Sequence, residues 1–244
     1  RLVGSEMCIR DSIIYFGSNK LHRSLDKGNN WDEISDDLTN GGLKGNVPYG
    51  TITTLDESTH EFGKIVVGTD EGNIILTQDS GTNWKQINNG LPSSLWVSRV
   101  IFSNHNENRI YASLNGYRLN NFEPHVYVSD DNGNSWNKIS SNLPLSPINV
   151  IREDIKDERI LYVGTDNGLF ISFDSGLNWH PFSSNFPRVA VHDLVIQNEK
   201  NELIVGTHGR SIYKLNLELF SKFNKIHKSS SLFTVLNASE TFLK

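Results

Sequence analysis

Cysteine is almost missing from the 244-residue sequence: Cys8 is the only one, and Met7 is the only methionine. A single thiol rules out an internal disulfide and a cysteine-built metal site. Proline is scarce, at 7 residues. No apolar run approaches the roughly 18 residues that a spanning helix needs. Runs of Lys or Arg are also absent. With 23 basic and 28 acidic residues and a net charge of −5, the chain has no basic stripe of the kind that nucleic acid or a membrane surface selects. What remains are short apolar runs rich in Val, Ile, Tyr and Phe, punctuated by Gly, Asn and Ser. That pattern suits many short strands joined by tight turns.

The first twelve residues, RLVGSEMCIRDS, stand apart. They resemble a translated sequencing adapter, whose codons in one frame give Leu2 to Asp11 and begin Ser12. Residues 1–12 are therefore expected to be a non-native scar and are left out of fold reasoning. Met7 and Cys8 go with them. On this expectation a signal peptide would lie in an N-terminus that the sequence does not show.

The rest of the chain repeats itself. RSLDKGNNW (Arg23–Trp31), LTQDSGTNW (Leu76–Trp84), VSDDNGNSW (Val128–Trp136) and ISFDSGLNW (Ile171–Trp179) share one pattern. Their tryptophans are 53, 52 and 43 residues apart, read from positions 31, 84, 136 and 179. A period of about 40–50 residues is that of propeller blades or similar arrays. Upstream of each turn, KIVVGTDEGNIILT matches RILYVGTDNGLFIS, and ELIVGTHGRSIYKL matches both before losing the Asp turn. Each unit holds four apolar runs of strand length, and four strands per unit make a propeller blade. The expectation is three complete blades near 49–87, 97–139 and 147–182, a partial blade before them and a three-strand blade over 191–215.

The turn itself reads as construction. Asp26, Asp79, Asp131 and Asp174 can accept hydrogen bonds from their own turns. Ser24, Thr77, Ser129 and Ser172 add a hydroxyl. Gly28, Gly81, Gly133 and Gly176 can take positive φ. Trp31, Trp84, Trp136 and Trp179 then fold under the turn, and the last three are expected to be mostly buried. Calcium fits poorly: Asp130, Asn132 and Asn134 could start an EF-hand, but Ser135 stands where glycine is required.

The pattern S/T-x-D-x-G-x-x-W resembles the Asp-box, or bacterial-neuraminidase repeat, of sialidases, sortilin-type receptors and xyloglucan-cleaving propellers. GTHGRSIY after RVAVHDLVI is similar to the last blade of bacterial sortilin-like, glycosyl-hydrolase-type propeller proteins. The resemblance implies an all-β propeller of four-stranded antiparallel blades over residues 13–215, about four to five of them. Residues 216–244 follow as a short helix, from the helical spacing of Leu217, Phe220, Phe223 and Ile226, and the start of another segment. It also implies a bacterial, secreted, periplasmic or cell-surface protein.

In such a blade the turns between strands two and three lie at the opposite end from the Asp turns. By analogy with the fold, ligands are expected there. The insertion NGYRLNNFEPH (Asn115–His125) carries Tyr117, Arg118, Phe122 and His125. Arg99, Asp193, His208 and Arg210 are expected near the channel mouth, with Asn149 and His192 as further polar candidates. The link 36–48 reads as a solvated linker. These residues suggest binding of a glycan or a protein or peptide ligand, with no cofactor or metal assigned. The alternative is a glycoside hydrolase of the xyloglucanase or sialidase kind. The Arg-Ile-Pro signature of sialidases is absent, and Asp70 and Asp166 recur in turns, so no catalytic residue is assigned.

Overall fold

The structure, a computed structural model, describes residues 12–41, 50–182 and 186–218. Five antiparallel sheets follow one another along the chain. The first holds β1 (Ile14–Gly17), β2 (Leu21–Ser24) and β3 (Asp32–Glu33). The second holds β4 (Ile52–Glu57), β5 (Ile65–Thr69), β6 (Ile74–Thr77) and β7 (Lys85–Gln86). The third holds β8 (Trp96–Phe102), β9 (Ile110–Asn115), β10 (His125–Ser129) and β11 (Asn137–Lys138). In the fourth are β12 (Ile148–Glu153), β13 (Leu161–Thr165), β14 (Gly168–Ser172) and β15 (Trp179–Pro181). The fifth has β16 (Val191–Gln197), β17 (Glu202–Thr207) and β18 (Ile212–Asn216). This is a β-propeller architecture, with the three complete blades where the repeat places them. The N-terminal strand does not close the last sheet, since β1 and β18 belong to separate sheets.

The innermost strands β4, β8, β12 and β16 pack side by side, and the apolar second strands fill the layers between sheets. Each innermost strand carries a bulge at the same place, at Thr53, Ser98, Asn149 and His192. A bulge re-aims one side chain. Here Thr53 Oγ1 donates to Val97 O of the next blade at 2.7 Å, and Asn149 Nδ2 donates to Val191 O at 3.1 Å. The glycine in the recurring VGT triplet has a packing reason. A Cβ on Gly68 would lie 2.4 Å from Val97 Cγ1, and one on Gly164 would lie 2.6 Å from Val191 Cγ1.

The Asp turns share one geometry. Ser24, Thr77, Ser129 and Ser172 each donate a hydroxyl to the following aspartate at 2.8 Å. The same hydroxyls accept the turn glycine N–H at 2.7–3.0 Å. Each aspartate also accepts the backbone N–H four residues on, at 2.8 Å. The residues before the glycines, Lys27, Ser80, Asn132 and Ser175, have φ of 55–63°. Every turn is also tied to its own end of the blade, as in Asn132 N to Asn108 O at 2.9 Å and Ser175 N to Arg159 O at 2.8 Å.

The tryptophans do more than fold under their own turns. Trp84, Trp136 and Trp179 donate Nε1–H to Ile34, Ile87 and Ile139 O, at 3.0, 2.6 and 2.7 Å. Those carbonyls sit just beyond the fourth strand of the preceding blade. Gly81, Gly133 and Gly176 pack on the same isoleucines. Trp179 is 3% exposed, whereas Trp84 and Trp136 are half-buried, less covered than the repeat suggests. Trp31 bonds only to its own Gly28 O, at 3.1 Å, and is 43% exposed.

The Ser135 hydroxyl and N–H, with the Ser129 hydroxyl, hold the Asp131 carboxyl at about 2, below its ordinary 3.8. A carboxylate depressed on folding stabilises above its unfolded value and loses that contribution as pH falls. Asp131→Asn is therefore expected to lower the melting temperature at pH 7, with the deficit shrinking between about pH 4 and pH 2. A deficit that stays constant through that window would show that the charge of Asp131 contributes nothing.

Leu217, where the expected C-terminal helix begins, is buried and its N–H donates to Asn201 O at 2.9 Å. Among the described residues only Glu218, the last of them, is in α-helical conformation, and no α-helix stands among their elements. Phe220, Phe223 and Ile226 of that expectation lie outside them, as do residues 1–11 of the expected scar and most of the 36–48 link.

Candidate functional site

The end of the propeller away from the Asp turns is built from the blade links and the turns between second and third strands. In four of the five sheets these turns are short. In the third, Gly116–Pro124 intervenes between β9 and β10. Asn115 Oδ1 accepts Tyr117 N–H at 2.9 Å and starts a 3-10 turn over Tyr117–Leu119. Gly116 O then accepts Leu119 N–H at 2.9 Å and Asn121 N–H at 3.1 Å. Gly116 is required because a Cβ there would meet Asn121 O at 2.6 Å. Asn120 ends the turn in the left-handed region, at φ 55°.

This loop presents apolar surface to solvent. Tyr117 is 60% exposed and Phe122 45%, and their rings meet edge-on at 6.0 Å. Arg118 lies over the indole of Trp96, with Cζ 4.8 Å from the ring centroid. Trp96 opens β8 and pairs with Asn115. Trp96 lies just before the blade expected over 97–139 and is not among the residues singled out from the sequence. A signal was available: the aligned positions before the first inward residue are Thr51, Pro147 and Ala190, so an aromatic side chain there breaks the repeat.

From the loop a polar line runs to the next blades. Asn115 Nδ2 donates to Asn149 Oδ1 at 2.9 Å, and Asn149 Nδ2 donates to Asp166 Oδ1 at 2.8 Å. In the last blade the exposed rings of His192 and His208 lie 5.3 Å apart. Arg210 is exposed in the same β17–β18 turn. Asp70 is occupied by a blade link, accepting Thr51 N–H at 2.8 Å.

Arg99 and Asp193 meet as an ion pair between innermost strands. Arg99 Nη2 is 2.7 Å from Asp193 Oδ1, linking β8 to β16 across the intervening β12, and Arg152 Nη2 stands 3.8 Å from the same oxygen. This pair joins blades rather than lining the loop. At the Asp-turn mouth of the channel is a small cleft that includes Asp56, Phe102, Arg152 and Glu153. Its carboxylates are engaged: Asp56 Oδ2 accepts Phe102 N–H at 2.7 Å, and Glu153 accepts the Ser103 and Tyr111 hydroxyls.

His125 does not join the exposed loop. It is the first residue of β10, 3% exposed, stacked on Tyr127 at 6.3 Å. Burial, with Lys138 nearby, holds its imidazole below the ordinary value. It is buried as part of a strand whose consecutive residues are all buried or half-buried, whereas the sequence analysis places it on the exposed loop. Among the described residues no group of three or more His, Cys, Asp or Glu is placed to hold a metal, and no helix is long and apolar enough to cross a membrane.

Residues 124–239 match the family model Sortilin-Vps10, described as sortilin, neurotensin receptor 3. Among solved structures, the fold is similar to the GH74 xyloglucanase from Xanthomonas campestris at 13% identity and a TM-score of 0.64, over 85% of this chain and 35% of that one. It is also similar to the extracellular domain of a putative hybrid two-component system from B. thetaiotaomicron, at 15% identity and a TM-score of 0.59, over 88% and 26% of the two chains. YCF48 bound to D1 peptide aligns at 14% identity and a TM-score of 0.54, over 84% and 62%. At these identities the likeness establishes the propeller fold alone. The chain spans about a third of the GH74 structures from Xanthomonas campestris and Niastella koreensis. No curated protein matches the sequence.

Proposed function

We propose that this chain is part of a secreted or surface-exposed propeller that binds a glycan at the end opposite the Asp turns. The observation that carries this reading is the exposed pair Tyr117 and Phe122 on a loop fixed by Asn115 and Gly116, beside Arg118 and Trp96. Aromatic faces on a rigid scaffold suit the C–H faces of sugar rings, while a few polar groups set orientation. The GH74 likeness is consistent with a carbohydrate ligand.

Binding is favoured over hydrolysis by the state of the rim carboxylates. Asp70 and Asp166 both accept structural hydrogen bonds, from Thr51 N–H and Asn149 Nδ2. A hydrolytic pair needs carboxyls directed at the substrate. The hydrolase alternative therefore rests on parts of a longer protein.

Affinity electrophoresis of the chain in gels of polysaccharides tests the reading. Tyr117→Ala with Phe122→Ala is expected to weaken retention about tenfold, each lost stacking contact contributing roughly 0.5–1.5 kcal/mol. The melting temperature should stay unchanged, because both rings are exposed. Retention that survives this change but is lost on altering the surface of the Asp turns would place the ligand at the opposite end.

A further inference from the structure

We infer that the glycan taken by this loop is acidic, a uronate-containing polysaccharide, and that Arg118 pairs with its carboxylate. The inference rests on the binding reading above and specifies its ligand. Arg118 is exposed and held over Trp96 with Cζ 4.8 Å from the ring centroid. A cation–ring contact consumes none of the guanidinium's N–H donors. Among the described residues Arg118 makes no ion pair and no hydrogen bond. The other arginines with ion pairs are occupied: Arg99 and Arg152 by Asp193, Arg109 by Asp130 and Glu158, and Arg159 by Asp157.

Local charge agrees. Glu123 is the only carboxylate of the loop, and its near cation is Lys138, 3.9 Å away on β11. Arg118 therefore offers a planar fork held beside Trp96, and a carboxylate is the anion that matches such a fork with two parallel bonds. The neighbouring exposed rings of Tyr117 and Phe122 select for a carboxylate carried on a ring that can stack, which distinguishes a uronate residue from an acidic peptide.

The test compares retention of the intact chain on polygalacturonate and alginate with retention on methyl-esterified polygalacturonate and on xyloglucan. Tighter binding of an acidic polymer by about tenfold or more is expected, the scale of one charge-assisted hydrogen bond. Arg118→Gln should remove that preference and its sensitivity to salt, while Arg118→Lys, a point charge without the fork, should restore only part of it. Thermal melting of each variant confirms that the fold is kept. Equal retention on acidic and esterified polymers, or an Arg118→Gln variant indistinguishable from the parent, overturns the inference. So does equally tight binding of poly-glutamate, which would mark Arg118 as a site for any polyanion. If neutral polymers alone bind and Tyr117→Ala with Phe122→Ala abolishes it, the glycan-binding reading stands and the acidic ligand falls. Retention on none of the polymers overturns both.

Discussion

Replacing Trp179 by alanine is expected to destabilise the protein by about 3–5 kcal/mol. The indole is 3% exposed and packs with Ile139, Leu143, Leu161 and Phe170. Its Nε1–H also donates to Ile139 O of the preceding blade at 2.7 Å. Alanine would leave a cavity between two blades and a carbonyl without its donor. Trp31→Ala is the internal control. That indole is 43% exposed and bonds within its own turn, so its loss should cost about 1 kcal/mol or less. Urea unfolding of the two variants measures the contrast. Equal losses would mean that the tryptophan stabilises only its own turn and that the bond to the neighbouring blade adds nothing.

The second large effect is expected at Glu153. Its carboxylate is 2% exposed and sits at the end of β12. It accepts Ser103 Oγ at 2.8 Å, Asn104 N–H at 2.7 Å and Tyr111 OH at 3.0 Å, all from the third blade. Glu153→Ala strands these three donors away from water, and about 3–5 kcal/mol of stability should be lost. The pH dependence separates charge from geometry. Burial pushes the Glu153 carboxyl up, against the pull of Ser103, Asn104 and Tyr111. A carboxyl raised on folding binds its proton more tightly in the native state, so stability is greatest below the unfolded value and falls as pH rises through the folded one. Glu153→Gln carries no charge and escapes this decline. The stability gap between the parent and Glu153→Gln should therefore narrow from pH 4.5 toward neutrality. A gap that widens over that range would show that the native state favours the ionised carboxylate.

Much of the architecture was legible because the repeat is local chemistry. Ser129, Asp131 and Gly133 satisfy one another within five residues, so their spacing announces the turn before any tertiary contact is known. The first three strands of each blade followed from apolar runs and are four to seven residues long, whereas the fourth strands are two or three residues of mostly exposed side chains. The binding loop was partly legible. Tyr117, Arg118 and Phe122 stood out because NGYRLNNFEPH interrupts a unit that is otherwise a tight turn. His125 differs from expectation because the sequence does not mark where the loop ends and β10 begins, and both faces of that strand are covered.

The sequence by itself determined the number and order of the strands, the chemistry of the four Asp turns and the blade that carries the insertion. All of these depend on residues within about one blade length of each other. Only the tertiary structure decided that the indoles of Trp84, Trp136 and Trp179 bind the preceding blade, as Trp136 does with Ile87. It alone placed Trp96 beneath Arg118, and it turned Arg99 toward Asp193, 94 residues away. For Arg99 and Asp193, each following a bulged residue, the physical reason is the bulge in the innermost strand. By adding one residue opposite one on its partner, it resets which side chains face the channel and which face the neighbouring blade. Composition and spacing do not carry that reset; the paired backbone of adjacent sheets does.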